Sequence, residues 1–280
     1  MTQLVRSLED WVRIRTGLKV RLGFVPTMGA LHQGHGTLIR RSAAENENTV
    51  VSVFVNPTQF GPNEDFDKYP RTLEDDLALA EKMGASFLFA PSVKDVYPQP
   101  WSTSIEVGEI SDGLCGQFRP GHFKGVATVV YRLFQMAGAE RAYFGQKDLQ
   151  QFFVIHRMVK NLGLPVQLEM VPTVREADGL ALSSRNRYLS TAEREVAPII
   201  YRALEAARRL CVEEGVRESA VLLALAQEIL GRVPEIRLQY LELVSMPDLK
   251  PVRLVEGPAA LVFAGHLGTT RLIDNVLITF

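Results

Sequence analysis

His32 and His35 stand three residues apart in "FVPTMGALHQGHGTLIR" (residues 24–40), with Gly34 between them. An apolar strand pattern leads in and an amphipathic helix pattern leads out, so the pair falls where a strand turns into a helix. Two imidazoles there can bind a metal, hold a phosphate, or serve structure alone. Zinc needs further ligands. The remaining histidines are His122, His156 and His266, neither Cys115 nor Cys211 belongs to a ligand pattern, and no third ligand lies nearby in the chain. Phosphate fits better. The first turn of a helix exposes N–H groups with no partner inside the helix and carries partial positive charge, and imidazole N–H groups would add to it. "GHGTLI" misses the dinucleotide fingerprint, with Ile39 at the third glycine, and no P-loop pattern occurs.

Other segments carry candidate chemistry. "GQKDLQQ" (residues 145–151) places Lys147 and Asp148 directly after the strand-like "RAYFG". By itself it reads as a capping aspartate beside a solvated lysine. "ALSSRNRYLS" crowds Ser183, Ser184, Arg185 and Asn186 together, either as a capped turn or as an anion-binding loop. "NPTQFGPNEDFDKYPR" (residues 56–71) is a long polar loop, a type that is often functional. Asp75 and Asp76 begin a helical pattern, where the dipole favours acids. A magnesium role is open to them, since Mg²⁺ often combines one or two carboxylates with substrate phosphates.

The elements that would position these residues alternate. Strand patterns cover Val20–Val25, "TVVSVFV" (49–55), "ASFLFAP", "RAYFG" and "VQLEMVPTV". Helical patterns cover Thr37–Asn46, Thr72–Met83, Val126–Met136 and Leu149–Leu162. Unbroken apolar strands in strand–helix–strand order predict a Rossmann-like, doubly wound parallel sheet over residues 1–174, with ligands beyond the carboxyl ends of its strands. Residues 175–280 read as a smaller α+β domain. One helix is predicted from Thr191 to about Glu214 and another over Arg217–Leu230, followed by "IRLQYLELVS", "AALVFAG" and "TTRLIDNVLITF" as strands.

A net charge of -1 leaves no overall basic field for nucleic acid. No apolar run reaches the ~18 residues of a membrane helix. "MTQLVRSLEDWVRIRTG" reads as an amphipathic helix rather than a signal peptide. These point to a cytoplasmic protein with reduced thiols.

In this order, "PTMGALHQGH", "VFVNPTQFGPNEDFDKYPR", "RPGHFKGVATVV", "YFGQKDLQQ", "LALSSRN" and "RLIDN" resemble the pantothenate synthetases, the pantoate–β-alanine ligases. The resemblance implies ATP-dependent condensation of pantoate with β-alanine through pantoyl adenylate, releasing pyrophosphate and then AMP. It implies that Met28, Gly29, Ala30, Leu31, His32, Gln33, Gly34 and His35 form an ATP-binding loop, with His35 in the catalytic position. It further assigns Gly145, Gln146, Lys147 and Asp148 to ATP, with Lys147 on the phosphates. Val174 would contact adenine through its backbone, and Leu182, Ser183, Ser184 and Arg185 would form a third ATP segment. Gln59 and Gln151 match pantoate-binding glutamines, and Asp75 the magnesium-associated acid. Members of the family are usually homodimers.

Three positions depart from the family pattern: Gly36 for a leucine, Cys115 for a glutamate, and Leu182 for a methionine. The alternatives from other classes are a nucleotidyltransferase that moves AMP onto a phosphate-bearing precursor, and a nucleotide-binding regulatory module. The first would need no glutamine pair for a small hydroxy acid. The second would be marked by damaged catalytic positions, whereas His32, His35, Lys147 and Arg185 are all present.

Overall fold

The computed structural model describes residues 1–18, 20–62 and 64–280, in two units: 1–145 with 154–172, and 146–153 with 173–280. Asn63, inside the long polar loop, lies outside the described residues, as does Lys19.

The first unit contains β1 (Gln3–Val5), α1 (Leu8–Gly17), β2 (Leu22–Thr27), α2 (Gln33–Glu45), β3 (Asn48–Val53), α3 (Leu73–Lys82), β4 (Phe87–Phe89), α4 (Val93–Val96), α5 (Cys115–Phe118), α6 (His122–Ala137) and β5 (Arg141–Gly145). α7 (Leu149–Leu162) begins among the residues of the second unit, and β6 (Gln167–Val171) completes the sheet of the first. The six strands are all parallel in the order β1-β4-β3-β2-β5-β6. The winding reverses between β2 and β5, so the loop after β2 leaves the sheet at the point where such folds bind ligands.

Strand alternation decides which side chains meet which helices. Val25, Val51, Leu88 and Tyr143 pack on one face with Leu38 and Ile39 of α2 and Ala80 of α3. Their neighbours Phe24, Phe89 and Phe144 turn to the other face. There Trp11 of α1 stacks on Phe89 at 5.5 Å, and Phe134 of α6 meets Phe24 and Phe144 edge-on. The buried Trp11 indole donates to the Met136 carbonyl at 2.7 Å, so its polar atom is satisfied.

The N-terminal segment corrects the sequence reading. It is not one helix: Gln3–Val5 pairs with Phe87–Phe89 as an edge strand, and Ser7 then caps α1 by accepting from the Asp10 N–H. A strand of three residues has too short a pattern to compete with a helical period; pairing with β4 creates it. α2 and α6 also begin four residues earlier than predicted, at Gln33 and His122.

The second unit contains α8 (Thr191–Val196), α9 (Ile199–Glu214), α10 (Ser219–Leu230), β7 (Ile236–Ser245), β8 (Ala259–Leu267) and β9 (Thr270–Ile278). The strands form an antiparallel meander. Leu204, Leu222, Leu261 and Phe263 fill the core between that sheet and the helices. The single helix expected from Thr191 to Glu214 is divided before Ile199, because Pro198 has no N–H to continue the first segment and suits the start of the next.

Gly36 shows how one departure is absorbed. It is buried in α2, and a Cβ there would lie 3.2 Å from both Cγ and Sδ of Met83. Met83 thus fills the space a larger residue would take. Gly36→Leu alone should destabilise by about 1–3 kcal/mol through overpacking, and adding Met83→Ala should recover much of that in urea unfolding. A double variant no more stable than Gly36→Leu would remove this account.

Candidate active site

The site residues of the first unit depend on how the chain leaves β2. Thr27 Oγ1 accepts from the Gly29 N–H at 3.1 Å and donates to the Ser52 carbonyl. Gly29 (φ 81°) and Ala30 (φ 49°) then take the left-handed region. Glycine suits this turn twice over: a Cβ on Gly29 would also lie 2.9 Å from Asp76 Oδ2 and Val53 Cγ1. The Asp76 carboxylate, 1% exposed, accepts from Ala30 N–H at 3.1 Å and Leu31 N–H at 2.7 Å. Burial raises its pKa, and these bonds oppose that rise. Asp75 beside it is exposed at the first turn of α3.

The two histidines close the loop onto α2. His32 is the N-cap residue, and its Nδ1 accepts from the Gly34 N–H at 3.1 Å. His35 Nδ1 accepts from the His32 N–H at 3.3 Å. This is a capping box with imidazoles in place of the usual hydroxyl and carboxylate. The rings stand 4.2 Å apart. Because each Nδ1 receives a hydrogen, the neutral rings carry their proton on Nε2. The histidines themselves take up the N–H groups of Gly34 and His32 at the helix start.

Gln59 belongs to the same unit. Its Nε2 lies 3.1 Å from Met28 Sδ, and its Oε1 accepts from Asn56 Nδ2 at 3.0 Å. Asn56 also donates to the Gly125 carbonyl at 3.2 Å and accepts from Tyr97 OH at 2.8 Å. Burial raises the Tyr97 pKa, keeping it a donor. Gly125 has no alternative: a Cβ would strike the Thr58 carbonyl and Gln59 Cα. The Gln59 carbonyl accepts from His122 Nδ1 at 2.9 Å and from Arg119 at 3.4 Å. His122 therefore carries its proton on Nδ1, opposite to His32 and His35. Arg119 in turn grips both oxygens of Glu64.

Gly145 ends β5 in the first unit, and the second unit holds the other predicted residues. Gln146–Asp148 form a short 3-10 turn; Lys147 Nζ is 3.9 Å from Asp148 Oδ2. Asn275 donates to the carbonyls of Gln146 and Lys147, both at 3.0 Å. Gln151 is half-buried early in α7. Val174 and Leu182 are brought together, the Leu182 N–H donating to the Val174 carbonyl at 2.9 Å. Ser183 caps the turn Ser184–Tyr188 by accepting from the Arg185 N–H at 3.2 Å. Asn186 ties the same turn to the Ala181 carbonyl and Glu176. The capped-turn reading of "SSRN" therefore describes its local structure. Among the described residues no three or more His, Cys, Asp or Glu side chains group to hold a metal ion.

Asn56, Gly125 and Asn275 are not individually identifiable as site residues from sequence, and Asp76 is open there only to a magnesium role rather than the loop-holding one seen here. Asp76 carries a signal as an acid in a helix first turn, and Asn56, Gly125 and Asn275 lie within the quoted motifs. The others act through contacts distant in the chain.

Residues 1–277 match the profile of the family described as pantoate-beta-alanine ligase. A pantothenate synthetase of Caldicellulosiruptor saccharolyticus is 49% identical over 274 residues, covering 98% of this chain and 97% of its own. The crystal structure of a Thermus thermophilus pantothenate synthetase superposes with a TM-score of 0.95 at 46% identity, covering 100% of both chains. A Francisella tularensis pantoate-beta-alanine ligase complexed with beta-gamma ATP and beta-alanine gives 0.81 at 35% identity, over 99% of this chain and 98% of that one.

The capping geometry makes a spectroscopic prediction independent of any substrate. Long-range ¹H–¹⁵N correlation above the histidine titration range should show His32 and His35 protonated at Nε2 and His122 at Nδ1. A proton on Nδ1 of His32 or His35 would contradict the capping box.

Proposed function

The chain belongs to the pantoate-beta-alanine ligase family, and from that premise we propose how its residues condense pantoate with β-alanine at the expense of ATP. It is an ATP-dependent acid–amine ligase. The observation that carries the residue-level reading is the contact of Gln59 with Met28 at 3.1 Å. It supports the reading because the Gln59 amide then lies against the loop that bears His32 and His35.

In the first step a pantoate carboxylate oxygen bonds to the α-phosphorus, and the bond to pyrophosphate breaks. That carboxylate is already ionised at neutral pH, so the barrier is chiefly charge repulsion and positioning. His32 and His35 then need only donate hydrogen bonds to phosphoryl oxygens, aided by Lys147, Ser183, Ser184 and Arg185. Met28–His35, Gly145–Asp148, Val174 and Leu182–Arg185 are assigned to ATP, and Gln59 and Gln151 to pantoate. An amide serves there because it can donate to a carboxylate and accept from a hydroxyl. In the second step the neutral amine of β-alanine attacks the acyl carbon, and AMP leaves. Exclusion of water protects the acyl adenylate from hydrolysis.

Magnesium enters this reading with ATP. Asp76 is occupied by the loop, which leaves the exposed Asp75 as the carboxylate able to meet an ion. One carboxylate fits an ion held mainly by triphosphate oxygens and water. Mg²⁺ would supply charge neutralisation on the departing pyrophosphate. The reading also takes the protein as a cytoplasmic homodimer. No helix among the described residues is long and apolar enough to cross a membrane.

The decisive assay is pyrophosphate release from ATP with pantoate alone, followed by AMP release on adding β-alanine. Transfer of AMP to a phosphate-bearing acceptor, with no dependence on the amine, would favour the nucleotidyltransferase alternative. His35→Ala should lower the adenylation rate by roughly 10²–10³, as for loss of one oxyanion donor. His35→Gln should retain more activity than His35→Asn, because the glutamine amide reaches the Nε2 position. Equal losses in the two would remove the Nε2 assignment. Gln151→Ala should raise the KM for pantoate far more than that for ATP; parallel increases would withdraw its pantoate role.

A further inference from the structure

We propose that Asn275, near the end of the chain, is a positioning residue for Lys147. The inference rests on the reading of Lys147 as a phosphate ligand. Asn275 lies on β9 and is 2% exposed. Both hydrogens of its Nδ2 are used, on the carbonyls of Gln146 and Lys147 at 3.0 Å each, and its Oδ1 accepts from Gln146 Nε2 at 3.0 Å. The orientation of the amide is unambiguous, since a flip would set Oδ1 against two carbonyl oxygens. A buried amide in this state is costly to disturb, because each group it serves would lose its partner without gaining water.

The peptide that carries Asn275 is itself fixed from both sides. Asp274 Oδ1 accepts the Asn275 N–H at 2.7 Å, and Arg175 donates to the Asn275 carbonyl at 3.2 Å. Arg175 and Asp274 form a two-pronged ion pair at 2.6 and 2.9 Å. The guanidinium stacks 3.8 Å over the Tyr201 ring and also donates to the Gly179 carbonyl at 3.1 Å. Ion pair, peptide and amide thus form one path of direct bonds that ends on the main chain of Lys147. The weak 3.9 Å approach of Lys147 Nζ to Asp148 does not set the direction of the lysine. Its backbone anchor does. This accounts for "RLIDN", the quoted motif with no substrate contact assigned to it. Its aspartate holds the arginine, and its asparagine holds the loop.

The test is a double-mutant cycle in the full chain, reading single-turnover pyrophosphate release together with urea stability. Asn275→Ala should slow adenylation by roughly ten-fold or more, within the ~10² loss that about 1 Å of misplacement can cause. The KM for pantoate should stay near that of the parent. Combined with Lys147→Ala, it should add little further loss, since it acts through the lysine. Asn275→Asp is the second variant, of the same size. It sets a carboxylate against two carbonyls at neutral pH, so its adenylation rate should rise as pH is lowered and the carboxyl again donates. Losses that multiply in the double variant, or an unchanged rate in Asn275→Ala while Lys147→Ala is impaired, would overturn the positioning role. If Lys147→Ala itself adenylates normally, the phosphate reading of Lys147 fails, and the proposal with it.

Discussion

The loop between β2 and α2 depends on where the first N–H groups of α2 find acceptors. A helix start leaves such groups unpaired, and here imidazole nitrogens accept two N–H groups at the turn, those of Gly34 and His32. Accepting on Nδ1 commits each ring to carry its proton on Nε2. One requirement of helix structure therefore sets the protonation pattern of both histidines. The conditions for that pairing reach back into the sheet. Gly29 and Ala30 must turn through positive φ, and Asp76 must take the next two N–H groups, of Ala30 and Leu31, from below. A buried carboxylate is tolerated there because two backbone donors and Thr72 compensate its lost solvation.

Much of the arrangement was legible in the residues, and the failures have physical causes. The strands "RAYFG" and "IRLQYLELVS" and the helix Leu149–Leu162 match the observed elements because each carries a full, uninterrupted pattern. β1 carries too few residues for any pattern. The start of α6 was missed because Gly121 and Gly125 depress helix propensity there. Gly125 is nevertheless needed, since only a missing side chain lets Thr58 and Gln59 rest on the helix. The histidine spacing points to a helix start at which both main-chain and imidazole N–H groups are candidate donors. In the structure the Nδ1 atoms of His32 and His35 accept the N–H groups of Gly34 and His32. Spacing alone cannot show this, because it depends on side-chain rotation about His32 and His35.

The departure at Gly36 is met from another element, whereas the one at Cys115 has no such counterpart. Met83 of the α3 C-terminus fills the space over Gly36. Glu64 of the polar loop pairs with Arg119; nothing in the structure explains the cysteine at position 115. Burial tends to raise the Glu64 pKa, yet the hydrogen bond and charge of Arg119 outweigh it and hold the carboxyl below its ordinary range. An acid lowered in this way contributes stability above its unfolded pKa and loses it as pH falls through the lowered value. The consequence for Gln59 is direct, because Arg119 and His122 both hold its carbonyl.

On the proposed reading, each unit solves the same problem in its own way. A donor that must meet phosphate cannot be left to choose its direction, since the first step gains nothing from proton removal and depends on fixed charge and geometry. In the first unit the histidines are aimed by spending Nδ1 on the backbone. In the second, Lys147 cannot be aimed through its flexible side chain, whose four-carbon stem would lose much entropy if held by a partner at its tip. Fixing the main chain instead limits the volume that the ammonium can reach while leaving its charge for the substrate. A buried amide suits that task better than a close ion pair made directly to the lysine, because Asn275 binds carbonyls and does not neutralise the ammonium. The charged pair that the fold does bury, Arg175 with Asp274, is kept one step further away.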